Sequence, residues 1–231
     1  MEYWWFPEAY ELASTRNLQR WSNDRKTRIV REDIRDLTDI RDIWKLELLV
    51  SILESKVASP FSINSLVQDI GVTHKTVSHW IETLEYTYYC RRIYPRQSNR
   101  IKSLRKEPKL YLWDWSECND LWAKIENMIG SHLLKWTHYQ KDVFGEEYEL
   151  MYVKEQWWRE VDFLITHKKT PYQLIEVKKS DSSISKSLRY FHKRIQPAQT
   201  IQIVYECDRD YDRTSWDYRV VSAEKFLSQL I

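Results

Sequence analysis

Apolar positions recur at helical spacing in the first half of the chain and at strand spacing through much of the second. Ile43 to Leu53 reads as a helix ended by Ser59-Pro60, because proline disfavours helix in the residue before it. A second helix is expected near Ser62 to Ile70, with Gly71 as its C-terminal stop. Thr73 can N-cap a third, His74 to Glu85, on which Val77, Ile81 and Leu84 share one face. Strand-like runs follow at 87–94 and 109–113. The first 41 residues alternate basic and acidic side chains from about Leu12 onward, and predict a solvated or partner-facing helix.

From about Ser116 the pattern changes to α-β-β-β-α-β. A long helix is expected over 119–139, strands at 148–153, 158–166 and 172–178, and a helix over 183–195. Strands at 200–206 and 218–222 and a closing helix over 223–230 complete the chain. The fold class is therefore α/β in the α+β sense. A charged arm (1–41) precedes a winged helix-turn-helix (42–115) and a sheet domain (116–231).

Two strings set acids inside apolar runs: Glu160-Val161-Asp162-Phe163 and Ile175-Glu176-Val177-Lys178. A carboxylate there is costly to desolvate unless it is paired or binds a cation. If the hairpin folds symmetrically about Lys169, Asp162 lies opposite Glu176, with Cβ atoms roughly 5 Å apart. Lys178 shares the face of Glu176. Two such carboxylates repel unless a divalent cation lies between them, and oxygen ligands suit Mg²⁺. Asp162 and Glu176 are the candidate metal ligands, with Lys178 placed to position water or stabilise negative charge. Glu126, inside the apolar stretch of the long helix, is a fourth candidate. Together they suit metal-dependent phosphodiester cleavage.

Composition narrows the field. Only three glycines occur, and none makes a phosphate-binding loop or a dinucleotide fingerprint, so no nucleotide cofactor is expected. Cys90, Cys118 and Cys207 are far apart, which argues for the reducing cytoplasm and against a zinc cluster. No apolar run is long enough to span a membrane. The net charge of +2 is almost neutral, but residues 91–109 hold eight basic residues and one acid. Arg91, Arg92, Arg96, Arg100, Lys102, Arg105 and Lys106 would form a basic wing beside the outward His74, Lys75, Ser78 and His79. That pairing suits duplex DNA.

Asp162 followed by Glu176-Val177-Lys178, with Glu126 on the preceding helix, resembles the PD-(D/E)xK nuclease superfamily, the restriction-endonuclease-like fold. Val161 stands where proline is common in that superfamily. More broadly the chain resembles the C-terminal half of bacterial and archaeal AAA-type ATPases that carry a winged helix and a nuclease-like domain of unknown function. The matching stretches are Arg31–Leu37, Ser62–Leu66, His74–Val77, Glu107–Trp115 and Ile125–Asn127, together with the two acidic strings. The ATPase half is absent. The resemblance implies a Mg²⁺-dependent DNA-acting module, a remnant of such an ATPase or a partner of a separate one. The alternative is a non-catalytic DNA-binding, regulatory or protein-interaction module, docking through exposed aromatics such as Trp4 and Trp5.

Overall fold

Local signals shape the first helices. Ser14 caps a helix (α1, Thr15–Arg28) by accepting from the Asn17 amide, and one wider turn, Ile29–Asp33, prolongs it. Helix α2 (Ile43–Ser55) buries Leu46, Leu49, Val50 and Leu53. Helix α3 (Ile63–Ile70) stops at Gly71, whose φ of 70° is the left-handed conformation glycine adopts without penalty. Helix α4 (His74–Tyr86) starts where the Thr73 hydroxyl accepts from the Thr76 amide at 3.2 Å. Its buried face holds Trp80 and Thr83 as well as Val77, Ile81 and Leu84.

A computed structural model describes residues 14–34, 42–97, 106–156, 159–180, 183–215 and 217–230. Trp4, Trp5, Arg100, Lys102 and Arg105 lie outside the described residues. Seven α-helices and eight strands in two sheets, in a mixed α+β arrangement, occur among the described residues. The chain divides into two compact units, Met1–Arg92 with Lys109–Lys124 and Ile93–Pro108 with Ile125–Ile231.

In the first unit, strand β1 (Cys90–Ile93) pairs with β2 (Lys109–Leu112), and Val57 adds a parallel bridge to Leu110. The charged arm is not simply solvated. Ile29, Val30 and Ile34 are buried, since these three apolar residues interrupt the charge pattern and need cover. Arg25 and Lys26 turn toward Glu117 and Glu54, and Ser22 also donates to Glu117. The Tyr89 hydroxyl lies 2.9 Å from both Glu54 Oε1 and Glu117 Oε2.

The second unit takes helix α5 (Leu121–Phe144) from Ile125 onward, then β3 (Tyr148–Gln156), β4 (Arg159–His167), β5 (Thr170–Lys178), α6 (Lys186–Ile195), β6 (Gln199–Val204), β7 (Asp212–Ser215), β8 (Tyr218–Ser222) and α7 (Ala223–Ser228). The expected α-β-β-β-α-β order is present, and β7 is an addition to it. The six strands run in the order β3-β4-β5-β6-β8-β7. The pairs β3/β4, β4/β5 and β7/β8 are antiparallel; β5/β6 and β6/β8 are parallel. Helix α6 crosses from β5 to β6 and packs Leu188 and Phe191 on Val153, Val161, Leu164 and Leu174. The described residues 93–97 and 106–108, expected in or beside the wing, group with this unit. Arg96 donates its amide to the Tyr152 carbonyl, the Tyr152 amide donates to Tyr94, and its hydroxyl to Glu107.

Candidate active site on the central hairpin

Strands β4 and β5 join through Lys168 and Lys169, which both hold positive φ (48° and 68°), as a two-residue hairpin turn requires. The turn is thus centred between these lysines, not on Lys169. Next to it His167 pairs with Thr170 and Thr166 with Pro171. One extra residue, Tyr172, enters β5 before Ile165 pairs with Gln173. That irregularity restores the expected alignment, so Leu164 faces Leu174 and Phe163 faces Ile175.

The paired ladder stops there, one step short of Asp162. On its other side β4 advances three residues, Val161 to Leu164, while β3 advances two, Val153 to Met151. The extra residue therefore falls in Asp162-Phe163, where a bulge can re-aim a side chain. The direct opposition expected for Asp162 and Glu176 gives way to a different contact. Asp162 Oδ2 accepts the Val177 amide at 2.8 Å.

Glu176 is 5% exposed, because α6 covers this region of β4, β5 and β6. Its Oε1 meets Lys178 Nζ at 2.7 Å. Burial, then the charge of Asp162, push its carboxyl up to about 7 against the pull of Lys178. Its Oε2 is buried without a hydrogen-bond partner. Lys178, with its side chain about one-third exposed, stands between this carboxylate and solvent.

Sequence reasoning did not single out Gln202. It lies beside Glu176 in the parallel ladder and is fully buried. Its Oε1 accepts from the Ser185 amide at 2.9 Å and its Nε2 donates to the Ser183 carbonyl at 2.8 Å. Gln202 thereby pins the loop entering α6 next to Glu176. A lone polar residue in the run Ile201–Val204 was the available signal.

The donor set fits a divalent cation in kind. Two carboxylates sit close enough for one charge to shift the other, and one buried oxygen lacks a proton donor, which a cation can satisfy. Glu126 is also buried, on α5. However, no group of three or more His, Cys, Asp or Glu able to hold a metal occurs among the described residues. The structure thus brings together Asp162, Glu176 and Lys178, and Glu126 is not gathered with them into a three-carboxylate cluster.

The expected DNA-facing residues divide. His74, Lys75 and His79 are exposed on α4 and Ser78 is half-buried, bonded to His74. Arg91 is buried: its guanidinium donates to the Leu112 carbonyl at 3.3 Å and lies 4.9 Å from the Trp113 ring centre. It is a core residue, because β1 turns this position inward. Arg92 grips Glu85 through its side chain and its own amide, so that charge is neutralised. Lys109, counted in the basic run, is also buried. Arg96 is half-buried and Lys106 exposed.

No helix among the described residues is long and apolar enough to cross a membrane. Neither the curated proteins nor the solved structures contain a match to the chain. Two family models do match, and they meet at the start of α5, where the two units also divide. Residues 123–226 match a domain of unknown function, DUF4143, known to occur in AAA-ATPase-associated proteins. Residues 3–127, more than half of the chain, match a second domain of unknown function, DUF8612, and the chain belongs to that family.

Proposed function

We propose that the second unit is a nuclease-like domain of the PD-(D/E)xK type, a Mg²⁺-dependent phosphodiesterase acting on DNA. The observation that carries this reading is the grouping of Asp162, Glu176 and Lys178 at the end of one hairpin, with an unpartnered buried oxygen on Glu176. Asp162 and Glu176 are the residues that would hold the cation. When bound, a divalent cation supplies positive charge to phosphoryl oxygens and lowers the pKa of water. The chain's own groups do the rest. The Val177 amide fixes Asp162, and Gln202 and Ser185 hold the loop beside Glu176. The Lys178 ammonium faces charge that develops on the phosphate, and orients the attacking water. The first unit, read as a winged helix, would present His74, Lys75, Ser78 and His79 to DNA. A separate AAA-type ATPase is the proposed partner, on the ground that DUF4143 domains are known to occur in AAA-ATPase-associated proteins.

Plasmid and single-stranded DNA incubated with Mg²⁺ or Mn²⁺ test this reading. The wild type should cleave, and Asp162→Asn and Lys178→Ala should lose at least about a hundredfold in rate. Mn²⁺ should raise the melting temperature of the wild type but not of Asp162→Asn. DNA left equally intact by wild type and Lys178→Ala would sink the catalytic reading.

The 2.7 Å Lys178–Glu176 ion pair favours a second reading, a non-catalytic DNA-binding or regulatory module with a degenerate nuclease fold. Lys178→Ala would then lower stability, by leaving Glu176 buried without its cation, and change nothing in the DNA.

A further inference from the structure

We propose that the outer face of α6 is a contact surface for the phosphodiester backbone of a nucleic acid, through Lys186, Arg189 and Lys193. The inference rests on the phosphodiesterase reading for its purpose and names the surface that would hold the substrate. It moves the contact away from the buried Arg91 and the neutralised Arg92.

Helix α6 has the sequence Lys-Ser-Leu-Arg-Tyr-Phe-His-Lys-Arg-Ile, without an acid. Leu188 and Phe191 are buried on the sheet. Lys186, Arg189 and Lys193 are exposed. At 100° per residue these three lie within about 60° of one another, opposite the buried pair. From Lys186 to Lys193 the helix rises about 10 Å. The three cations thus stand within roughly one Debye length at physiological salt, where their fields add.

None of the three makes an ion pair among the described residues, which is unlike many other cations of this chain. Arg31 meets Glu47, Lys168 meets Glu146, Arg194 meets Glu155, and Arg209 meets Glu224. Asp217 faces His192 at 3.6 Å, not Arg189. Three like charges left together cost repulsion, and a polyanion relieves it by releasing its counterions.

The stripe also adjoins the site. The loop entering α6 carries Ser183 and Ser185, which Gln202 holds beside Glu176. A strand lying along α6 would reach the carboxylate pair at the helix N-terminal end. An anionic bilayer is the poorer partner. The apolar face of α6 is consumed by the sheet, so no hydrophobic residues of the helix remain to enter lipid.

The test is fluorescence anisotropy with short labelled single-stranded and duplex DNA in EDTA, where no cleavage occurs. Binding is measured between about 50 and 200 mM salt. The triple variant Lys186→Gln, Arg189→Gln, Lys193→Gln should bind about tenfold more weakly or worse, with a salt slope smaller by about 2–3. A control that removes the same charge elsewhere, Lys56→Gln, Lys135→Gln, Lys169→Gln, should bind as the wild type does. Matching melting temperatures exclude misfolding. Unchanged affinity and slope in the triple variant overturn the proposal. So does a wild type that binds no nucleic acid, or that prefers phosphatidylserine vesicles to DNA. Binding that depends on the stripe, with DNA left intact in Mg²⁺, overturns only the phosphodiesterase reading.

Discussion

A single phenolic hydrogen cannot serve two carboxylates. Tyr89 lies at 2.9 Å from Glu54 and from Glu117, so one of these contacts needs a proton on the acid. Glu117 is the acid that holds it: burial, then the charge of Asp114, raise its carboxyl to about 7, with Arg25 opposing. The sign follows from proton counting. Between the ordinary carboxylate range and pH 7 the folded chain binds more protons at this site than the unfolded chain does. Its contribution to stability is complete at low pH and is lost as pH rises through about 7. Across that window Glu117 should account for a fall of about 3 kcal/mol in unfolding free energy. Chemical denaturation at stepped pH should show a flatter profile for Glu117→Gln than for the wild type. Equal slopes would show that Glu117 ionises normally.

At the scale of elements, the hairpin shows what a sequence conveys and what it omits. Apolar runs and the polar turn located β4 and β5, and the alignment Phe163–Ile175 was legible from a symmetric fold. That alignment survives only because Tyr172 adds a residue to β5 and offsets the shift caused by a two-residue turn. Such compensation leaves no periodic trace. The bulge at Asp162-Phe163 is equally silent, since it answers to β3, a strand remote in register. Strand β7, Asp-Arg-Thr-Ser, has no apolar alternation to reveal it. Arg91 was misplaced because charge alone cannot report that a guanidinium finds a carbonyl and an indole inside. The capped helices α3 and α4, in contrast, were fully legible, because Gly71 and Thr73 act on their immediate neighbours.

The turn also supports a prediction. Lys169 holds a φ of 68°, a conformation that costs a side chain with a Cβ about 1 kcal/mol. Lys169→Gly should raise stability by about 0.5 kcal/mol, the relief of strain outweighing the added freedom of the unfolded chain. Thermal unfolding reads the sign directly; a lower melting temperature would mean that the Lys169 side chain contributes more than its strain.

For the molecule as a whole, each unit has its own buried set: Leu46, Leu49, Val77 and Ile81 in the first, Leu164, Leu174, Leu188 and Phe191 in the second. The two family matches meet at the start of α5, one of the places where the units divide, although the segment 93–108 lies within the first match and the second unit. Calorimetry should therefore resolve two unfolding transitions. Leu46→Ala should lower one and Leu164→Ala the other, each by about 2–5 kcal/mol. One transition displaced equally by both variants would show a single cooperative core.

The edge of the large sheet has a further consequence. Without β7, the outer ladder would end at β8, where Val220 and Val221 would offer an apolar edge to any extended chain. The four residues of β7 are all exposed and include Asp212 and Arg213. Its shortness and polarity make it a poor template for strand addition. The strand that the pattern of apolar residues failed to announce is therefore the one that blunts the sheet at this edge, opposite the edge formed by β3.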